Sequence, residues 1–394
     1  MKKWLSLGLA LLLCLSMAAC HTAPPDAPSS PSTTVTTTAT TTEAAPTTTV
    51  TTTESTAPPT TTVATTTTTT APTTTKTTTK ATTKATTAAT TTKPTTVTTA
   101  AATTTTTTKA PVAPGSTPIL YKATNESGAV VWLFGSIHVG KEEMYPLPDY
   151  VMDAFYAADS LAVECDITAT DDDAMTEMLY SMMYLDGTTI ADHIPAELYT
   201  AAQDIFKENG DYHKNLDYCV PILWSNLIDS YLYDNVDYDS EMGVDLHLIN
   251  LAKQEEKPLL EIESVQSQYA MLAGFSETLQ TLLLQESVAG YGDPSAPASL
   301  DALANAWREG DEALLREMLS SDAAQAPEEI REWAVEYETA MSTNLDLLMT
   351  DFAEARLNAG ESVFICVGAA HIVAENAMVD QLRARGYTLT RITA

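Results

Sequence analysis

The chain is short of the residues that much of catalysis and nearly all nucleic-acid binding depend on. Its 394 residues include six histidines, and 20 Lys and Arg stand against 52 Asp and Glu, a formal net charge of −32. Such a surface repels a phosphate backbone, so nucleic acid is not an expected partner. Acidity otherwise speaks to solubility and not to fold. Cysteine is scarce too. Past residue 20 only Cys165, Cys219 and Cys366 occur, odd in number and far apart, which is no disulfide framework. Cys165 and Cys366 lie in or beside apolar runs and are expected as buried thiols. No Ser–His–Asp arrangement, phosphate loop or dinucleotide fingerprint stands out. Beyond the N-terminus, no apolar run reaches membrane length.

What is present begins with an address. Lys2 and Lys3 precede a largely apolar run from Leu5 to Met17, too short for a membrane span and suited to a signal-peptide core. It ends in "LSMAAC", which resembles a bacterial lipobox with Met17 in place of the commoner Leu. The expectation is a signal peptide over 1–19, cleavage before Cys20, and a diacylglyceryl thioether on that cysteine. The protein would then be lipid-anchored at the cell membrane, its domain on the extracytoplasmic face and its only membrane contact the anchor. Residues 20–115 are dominated by Thr with Ala, Pro and scattered Lys. With almost no large apolar side chains, nothing offsets the entropy of ordering them. This reads as a disordered stalk open to O-glycosylation, spanning roughly 50–60 Å as a flexible coil. Residues 116–394 form the expected folded domain and carry a net −36, because the first 115 residues are net +4.

Within that domain, "PILYKAT" and "AVVWLFG" read as strands meeting at "NESG". "PLPDYVMDAFYAADS" reads as a helix with Pro148 at its first position, and "SLAVECD" as a short buried strand ending in acids. A long helical stretch follows, broken by a short strand in "KPLLEIES". A second buried strand, "SVFICVG", then precedes a closing helix and strand. The fold class is α/β (α+β): a central mixed sheet from two related strand–Gly-x-x-His–helix halves, with a helical insertion between them.

The two halves carry the chemistry. "GSIH" places His138 three residues after Gly135, and "GAAH" places His371 three residues after Gly368. A glycine lets the chain turn sharply as it leaves a strand. The histidine then sits above the carboxyl end of the sheet, where open α/β sheets bind ligands. On adjacent strands the two imidazoles would meet, with Glu164 at the end of a third strand as the natural acid. Two imidazoles and a carboxylate suit a divalent transition metal, which activates water and polarises a carbonyl. The competing reading has both histidines capping sheet ends and binding nothing.

The paired "GSIH" and "GAAH" resemble the signature of the TraB/GumN family, which includes the pheromone-shutdown proteins and the Tiki membrane proteases. Erythromycin esterases and ChaN-like proteins are more distant relations. "LFGSIHVGKEEMYPLPDYVMDAFYAADSLAVECD", "GVDLHLINLAKQEEKPLLEIESVQSQYAML" and "VFICVGAAHIVAENAMVDQLRARGY" follow the family's three blocks, so the resemblance runs from about Ile119 to Ile392. It implies that His138 and His371 are metal or catalytic groups and that Glu164 joins them. Glu263 matches a glutamate of the middle block, with Glu261 on the same strand face. Asp245 also matches, and an Asp there can equally cap or brace a helix. For Tiki-type members the implied activity is metal-dependent peptide hydrolysis with manganese or cobalt, zinc being possible, and Glu164 or Glu263 as the base. In one place the chain departs from the family: Thr343 precedes Asn344 where Arg-Asn is usual. Arg356 lies on the same helix, several turns away.

His193, His213 and His247 lack partners at ligand spacing and read as surface or cap residues. Trp307 matches the family but reads as packing. "MTEMLYSMM" reads as flexible core or groove wall. The functional expectation is a surface-anchored hydrolase acting on a peptide or small molecule. The alternatives are a binding protein that sequesters a signal peptide or a haem or iron compound, and a structural lipoprotein with a degenerate site. Oligomeric state is left open.

Overall fold

The computed structural model describes residues 116–169, 172–233 and 236–393. The expected signal peptide, Cys20 and the Thr-rich stalk lie outside the described residues.

In chain order the elements are β1 (Leu120–Thr124), β2 (Val130–Ser136), α1 (Asp149–Ala157), β3 (Ser160–Val163), α2 (Asp172–Ser181), α3 (Ala196–Asn209) and α4 (Pro221–Ser230). Then come α5 (Val244–Gln254), β4 (Leu259–Glu261), α6 (Val265–Ala273), α7 (Glu277–Gly290), α8 (Ala296–Glu309) and α9 (Glu312–Leu319). The last stretch holds α10 (Arg331–Glu338), α11 (Leu345–Ala359), β5 (Val363–Gly368), α12 (Ala369–Val373), α13 (Met378–Ala384) and β6 (Thr388–Ile392). A π-helical turn, Thr339–Asn344, joins α10 to α11. No helix among the described residues is long and apolar enough to cross a membrane.

One six-stranded sheet runs in the order β4-β3-β5-β2-β1-β6. The four strands from β4 to β2 are mutually parallel, and β1 is antiparallel to both β2 and β6, so the sheet is mixed as expected. Burial explains the sequence pattern. Every residue of β5 and β3 is buried, because helices cover both faces, and both strands read as unbroken apolar runs. Edge strand β6 mixes exposed and half-buried positions. The β1–β2 hairpin turns at Asn125, whose Oδ1 accepts the backbone N–H groups of Ser127 and Ala129.

The order of the central strands matters most for the site. Strands β2 and β5 are far apart in sequence yet pair in parallel, with Gly135 opposite Val367 and Ser136 opposite Gly368. The two Gly-x-x-His units therefore leave the same edge of the sheet side by side. The main core fills both faces of the sheet. The intervening helices build two smaller apolar clusters, one around Met178, Met182, Tyr269 and Phe275, the other around Phe206, Trp224 and Leu284. Met178 and Met182 of the Met-rich run are thus core residues. All three described cysteines are buried free thiols.

Candidate functional site

The GSIH loop is stitched down from two directions. Trp307, fully buried on α8, donates its indole N–H to the Gly135 carbonyl at 2.7 Å and meets Phe134 edge-on. On the other side, the Val244 N–H donates to the Ile137 carbonyl at 2.9 Å, drawing the first turn of α5 under the loop. Gly243 makes this approach possible, since a Cβ there would lie 2.7 Å from the His138 carbonyl oxygen. Asp245, two residues on, then meets His138, with Oδ2 2.7 Å from Nδ1.

The GAAH half uses the same device from another helix. Nδ1 of His371 lies 2.7 Å from Oδ1 of Asp346, which sits on α11 just after the π-helical turn. Both side chains are 6% exposed. In each pair the aspartate engages Nδ1 and so orients the ring.

The halves meet at Gly368. A Cβ on that residue would lie 3.3 Å from His138 Nε2, 3.4 Å from Glu164 Oε1 and 3.8 Å from His371 Cδ2. Three functional groups thus converge on its Cα, and a side chain there would crowd His138 Nε2. Glu164 follows β3 directly, and its Oε1 accepts the Gly368 N–H at 2.7 Å. The β3–β4 ladder continues one step beyond the strands, through Glu263 N–H to the Glu164 carbonyl at 2.8 Å, which sets the two glutamates next to each other. Glu263 Oε1 is buried without a hydrogen-bond partner.

Electrostatics follow from this crowding. Burial, reinforced by the charge of Glu164, pushes Glu263 up to about 7, against the pull of Gln268 and His371. Burial opposes charge on His371, but its hydrogen bond to Asp346 and the charges of Glu164, Asp346 and Glu263 outweigh it, and its pKa is raised. Asp346 is raised as well, chiefly by burial and also by Glu164. Asp245 differs: burial raises it, yet His138 and backbone N–H groups win and hold it below the usual range.

Two cavities open at His138. One, of about 60 Å³, also reaches Gly368 and His371. The other, of about 10 Å³, lies among Glu164, Asp245 and Cys366 and has roughly the space of one water.

The comparisons can be set beside this geometry. The model of the TraB/PrgY/gumN family matches residues 119–391, spanning both Gly-x-x-His units, all six strands up to Arg391 and every anchoring residue named above. The chain belongs to the TraB/PrgY/gumN family. Within or near it, the chain is 30% identical to the uncharacterized protein YbaP of Escherichia coli K12 over 142 residues, 36% of this chain and 50% of YbaP. The YbaP of Shigella flexneri matches equally. The metalloprotease TIKI2 of Xenopus tropicalis is 23% identical over 311 residues, 67% of this chain and 58% of TIKI2. The chain thus spans half to somewhat over half the length of these relatives. No solved structure matches it.

Of the residues singled out from the family signature, His138, Glu164, Glu263, His371, Gly135, Gly368 and Asp245 gather at one edge of the sheet. Three others do not join them. Glu261 is exposed and its Oε1 accepts the Asp166 N–H at 2.8 Å, bracing the segment after β3. Asn344 is exposed in the π-helical turn, beside exposed Thr343. Arg356 pairs with Glu361 at 2.9 Å and lies over Phe352, so it does not stand in for the family arginine. His138, His371 and Glu164 are the residues expected to hold a metal. The side chains converge, but Glu164 Oε1 is engaged by Gly368. Among the described residues no three His, Cys, Asp or Glu form a ready metal-ligating group.

Sequence reasoning missed Asp346. The signal was there: an acid on the buried face of α11, among Leu345, Met349, Ala353 and Leu357. A carboxylate on an apolar stripe needs a partner, and His371 is that partner. Trp307, read as packing, is packing that also fixes the Gly135 carbonyl. His193 is not partnerless: it stacks on Tyr184 with centroids 4.0 Å apart and reaches Glu277 at 3.1 Å. His247 packs on Tyr145, and His213 is half-buried at the start of a 3-10 turn.

Proposed function

We propose that this domain is a hydrolase of the Tiki type, cleaving peptide bonds at the sheet edge where His138, His371 and the two glutamates meet. The observation that carries the reading is the convergence of His138 Nε2, Glu164 Oε1 and the His371 ring within 3.3–3.8 Å of one point above Gly368. Support from similarity is the match to TIKI2, which is named a metalloprotease.

A divalent ion fits this donor set by chemistry. Two imidazoles have Nδ1 engaged by aspartates, the arrangement that orients a ligating histidine, and a buried Glu263 oxygen has no hydrogen-bond partner. The surplus negative charge of Glu164, Glu263 and Asp346 around His371 also favours a cation. Manganese or cobalt is the proposed ion, with zinc possible. His138, His371 and a glutamate would hold it, and when bound it would acidify water and polarise the scissile carbonyl.

The chain's own groups divide the remaining work. Glu263, titrating near neutrality, is suited to take a proton from water and return it to the leaving amine. Asp245 and Asp346 hold the imidazoles in the tautomer that presents Nε2. Glu164, fixed by the Gly368 N–H, keeps the strand ends and Glu263 in register. A lipid on Cys20 and the Thr-rich stalk would hold this domain outside the membrane.

The test is direct. The purified full chain, supplied with manganese or cobalt, is expected to cleave members of a peptide library, and His138→Ala and His371→Ala are expected not to. A wild-type protein that takes up neither metal and cleaves nothing would sink the reading. The alternative is a binding protein that sequesters a peptide or a haem or iron compound. It is favoured by Thr343 standing where the family has Arg, and saturable binding with the ligand recovered intact would establish it.

A further inference from the structure

The larger cavity has a wall that proton transfer and metal holding do not account for. Besides His138, Gly368 and His371 it is lined by Tyr233, Leu300, Leu303, Ala304, Leu315 and Leu319. Leu300, Leu303 and Ala304 fall on one face of α8, and Leu315 and Leu319 on one face of α9. The wall is also fixed in place. Between the two helices Gly310 packs so closely on Thr117 that a Cβ would lie 1.9 Å from its carbonyl oxygen. Arg316 of α9 donates to the Val373 carbonyl at 3.2 Å and pairs with Asp380, clamping the wall to the GAAH half.

We propose that this cavity is a specificity pocket for one aliphatic side chain, Leu, Ile or Met, at the residue of a peptide substrate next to the scissile bond. The chemistry it serves rests on the hydrolase reading; the pocket rests on the cavity. Its size argues for that class. A volume of about 60 Å³ holds roughly four or five water-sized groups, about a leucine side chain and well short of a tryptophan. Its wall argues likewise, because water between leucines makes few hydrogen bonds and is readily displaced by a methyl-rich group. Its place argues for adjacency to the reacting bond, since His138 and His371 line the same cavity.

The experiment uses the full chain with manganese and a matched peptide series differing at one residue: Gly, Ala, Leu, Met or Phe. Cleavage is mapped by mass spectrometry. We expect kcat/KM for Leu and Met to exceed that for Gly, Ala and Phe at least tenfold. Leu303→Trp fills the cavity and should lower the Leu-to-Ala ratio at least tenfold. Leu315→Ala deepens it and should move the preference toward Phe. An unchanged ratio in both folded variants, or no aliphatic preference in the wild type, overturns the proposal. A binding arm separates this proposal from the hydrolase reading: fluorine NMR of N-acetyl trifluoroleucine amide, N-acetyl 4-fluorophenylalanine amide and a fluorinated octanoate. If nothing is cleaved, the hydrolase reading falls, while selective broadening of the leucine probe, lost in Leu303→Trp, upholds the pocket. Equal broadening of all probes, none at all, or strongest broadening of the octanoate overturns it, the last in favour of an acyl chain.

Discussion

His138 and His371 leave neighbouring parallel strands in register, and each is tied through Nδ1 to an aspartate at 2.7 Å. Their surroundings differ. The His138–Asp245 pair keeps 14% and 15% side-chain exposure, and Asp245 is held ionised by its histidine and by backbone donors. The His371–Asp346 pair is 6% exposed on both sides and shares its space with Glu164 and Glu263, so three acids crowd one imidazole and raise its pKa. Two units with the same sequence motif are thus a fixed half and a titrating half. The motif sets where each histidine stands, and the helices packed behind it set what the histidine does.

The largest expected effects separate the halves by stability and not by activity. His138→Ala and His371→Ala should each lower kcat/KM by about a thousandfold or more, an effect of the size expected when a unit of this kind loses a member. His371→Ala should in addition cost about 3 kcal/mol, because it leaves Asp346 buried and unpaired, while His138→Ala costs clearly less. Urea unfolding beside the cleavage assay checks both. Equal losses of stability would erase the distinction.

Next come the aspartates. Asp245→Asn and Asp346→Asn should each lower activity or metal affinity about 10- to 100-fold, as loss of a histidine's orienting partner does. Only Asp346→Asn should bring the raised His371 pKa down. His371 has its folded pKa above the unfolded one, so its stabilising contribution is complete below the unfolded value, near 6.5. It is lost as pH rises through the folded value. In Asp346→Asn the contribution should be smaller and its loss complete at lower pH, and histidine NMR titration with parallel melting curves would show it.

The sequence made much of this arrangement legible, and the reason is burial. β5 is covered on both faces and β2 over most of its length, so both read as apolar runs, and the glycine that closes each and the histidine beyond it stand out as punctuation, as does Glu164 after buried β3. The mixed sheet, the pairing of the two halves and the place of Glu164 all follow from that pattern. What local pattern does not carry is which distant helix face meets each histidine. Asp245 stands out through the family resemblance but without its partner, since an Asp there can equally cap or brace a helix, and Asp346 is hidden inside a helical stripe. Glu261 and Glu263 share a strand face in sequence, yet Glu261 ends exposed, accepting the Asp166 N–H, and Glu263 half-buried with an unpartnered oxygen beside Glu164.

Glu263 supplies a smaller, pH-dependent test of the titrating half. Its pKa is raised from 4.5 to about 7. Below the unfolded value both states are protonated and nothing is lost. As pH climbs from there to 7 the unfolded chain ionises first, so the folded state loses stability and carries the full penalty above 7. Solvent on its half-exposed side limits this to about 1–2 kcal/mol. Glu263→Gln should therefore melt higher than wild type at pH 8 and nearly with it at pH 4. Wild-type cleavage should rise with pH to a plateau above about 7, and the variant should lack that limb. A pH-independent difference in melting would remove Glu263 from the titrating half.

The smallest effect tests the fixed half alone. Trp307→Phe keeps the ring against Phe134 but deletes the indole donor to the Gly135 carbonyl, leaving a buried acceptor unpaired. The expected cost is about 1–2 kcal/mol. Because Trp307 is hydrogen-bonded to the GSIH loop and not to the GAAH half, the histidine NMR signals of His138 should shift while those of His371 hold. Hydrogen exchange should quicken at Gly135 and its neighbours before it does at Gly368. If both histidines move together, the two halves are one rigid unit, and their different titration comes from the carboxylates alone.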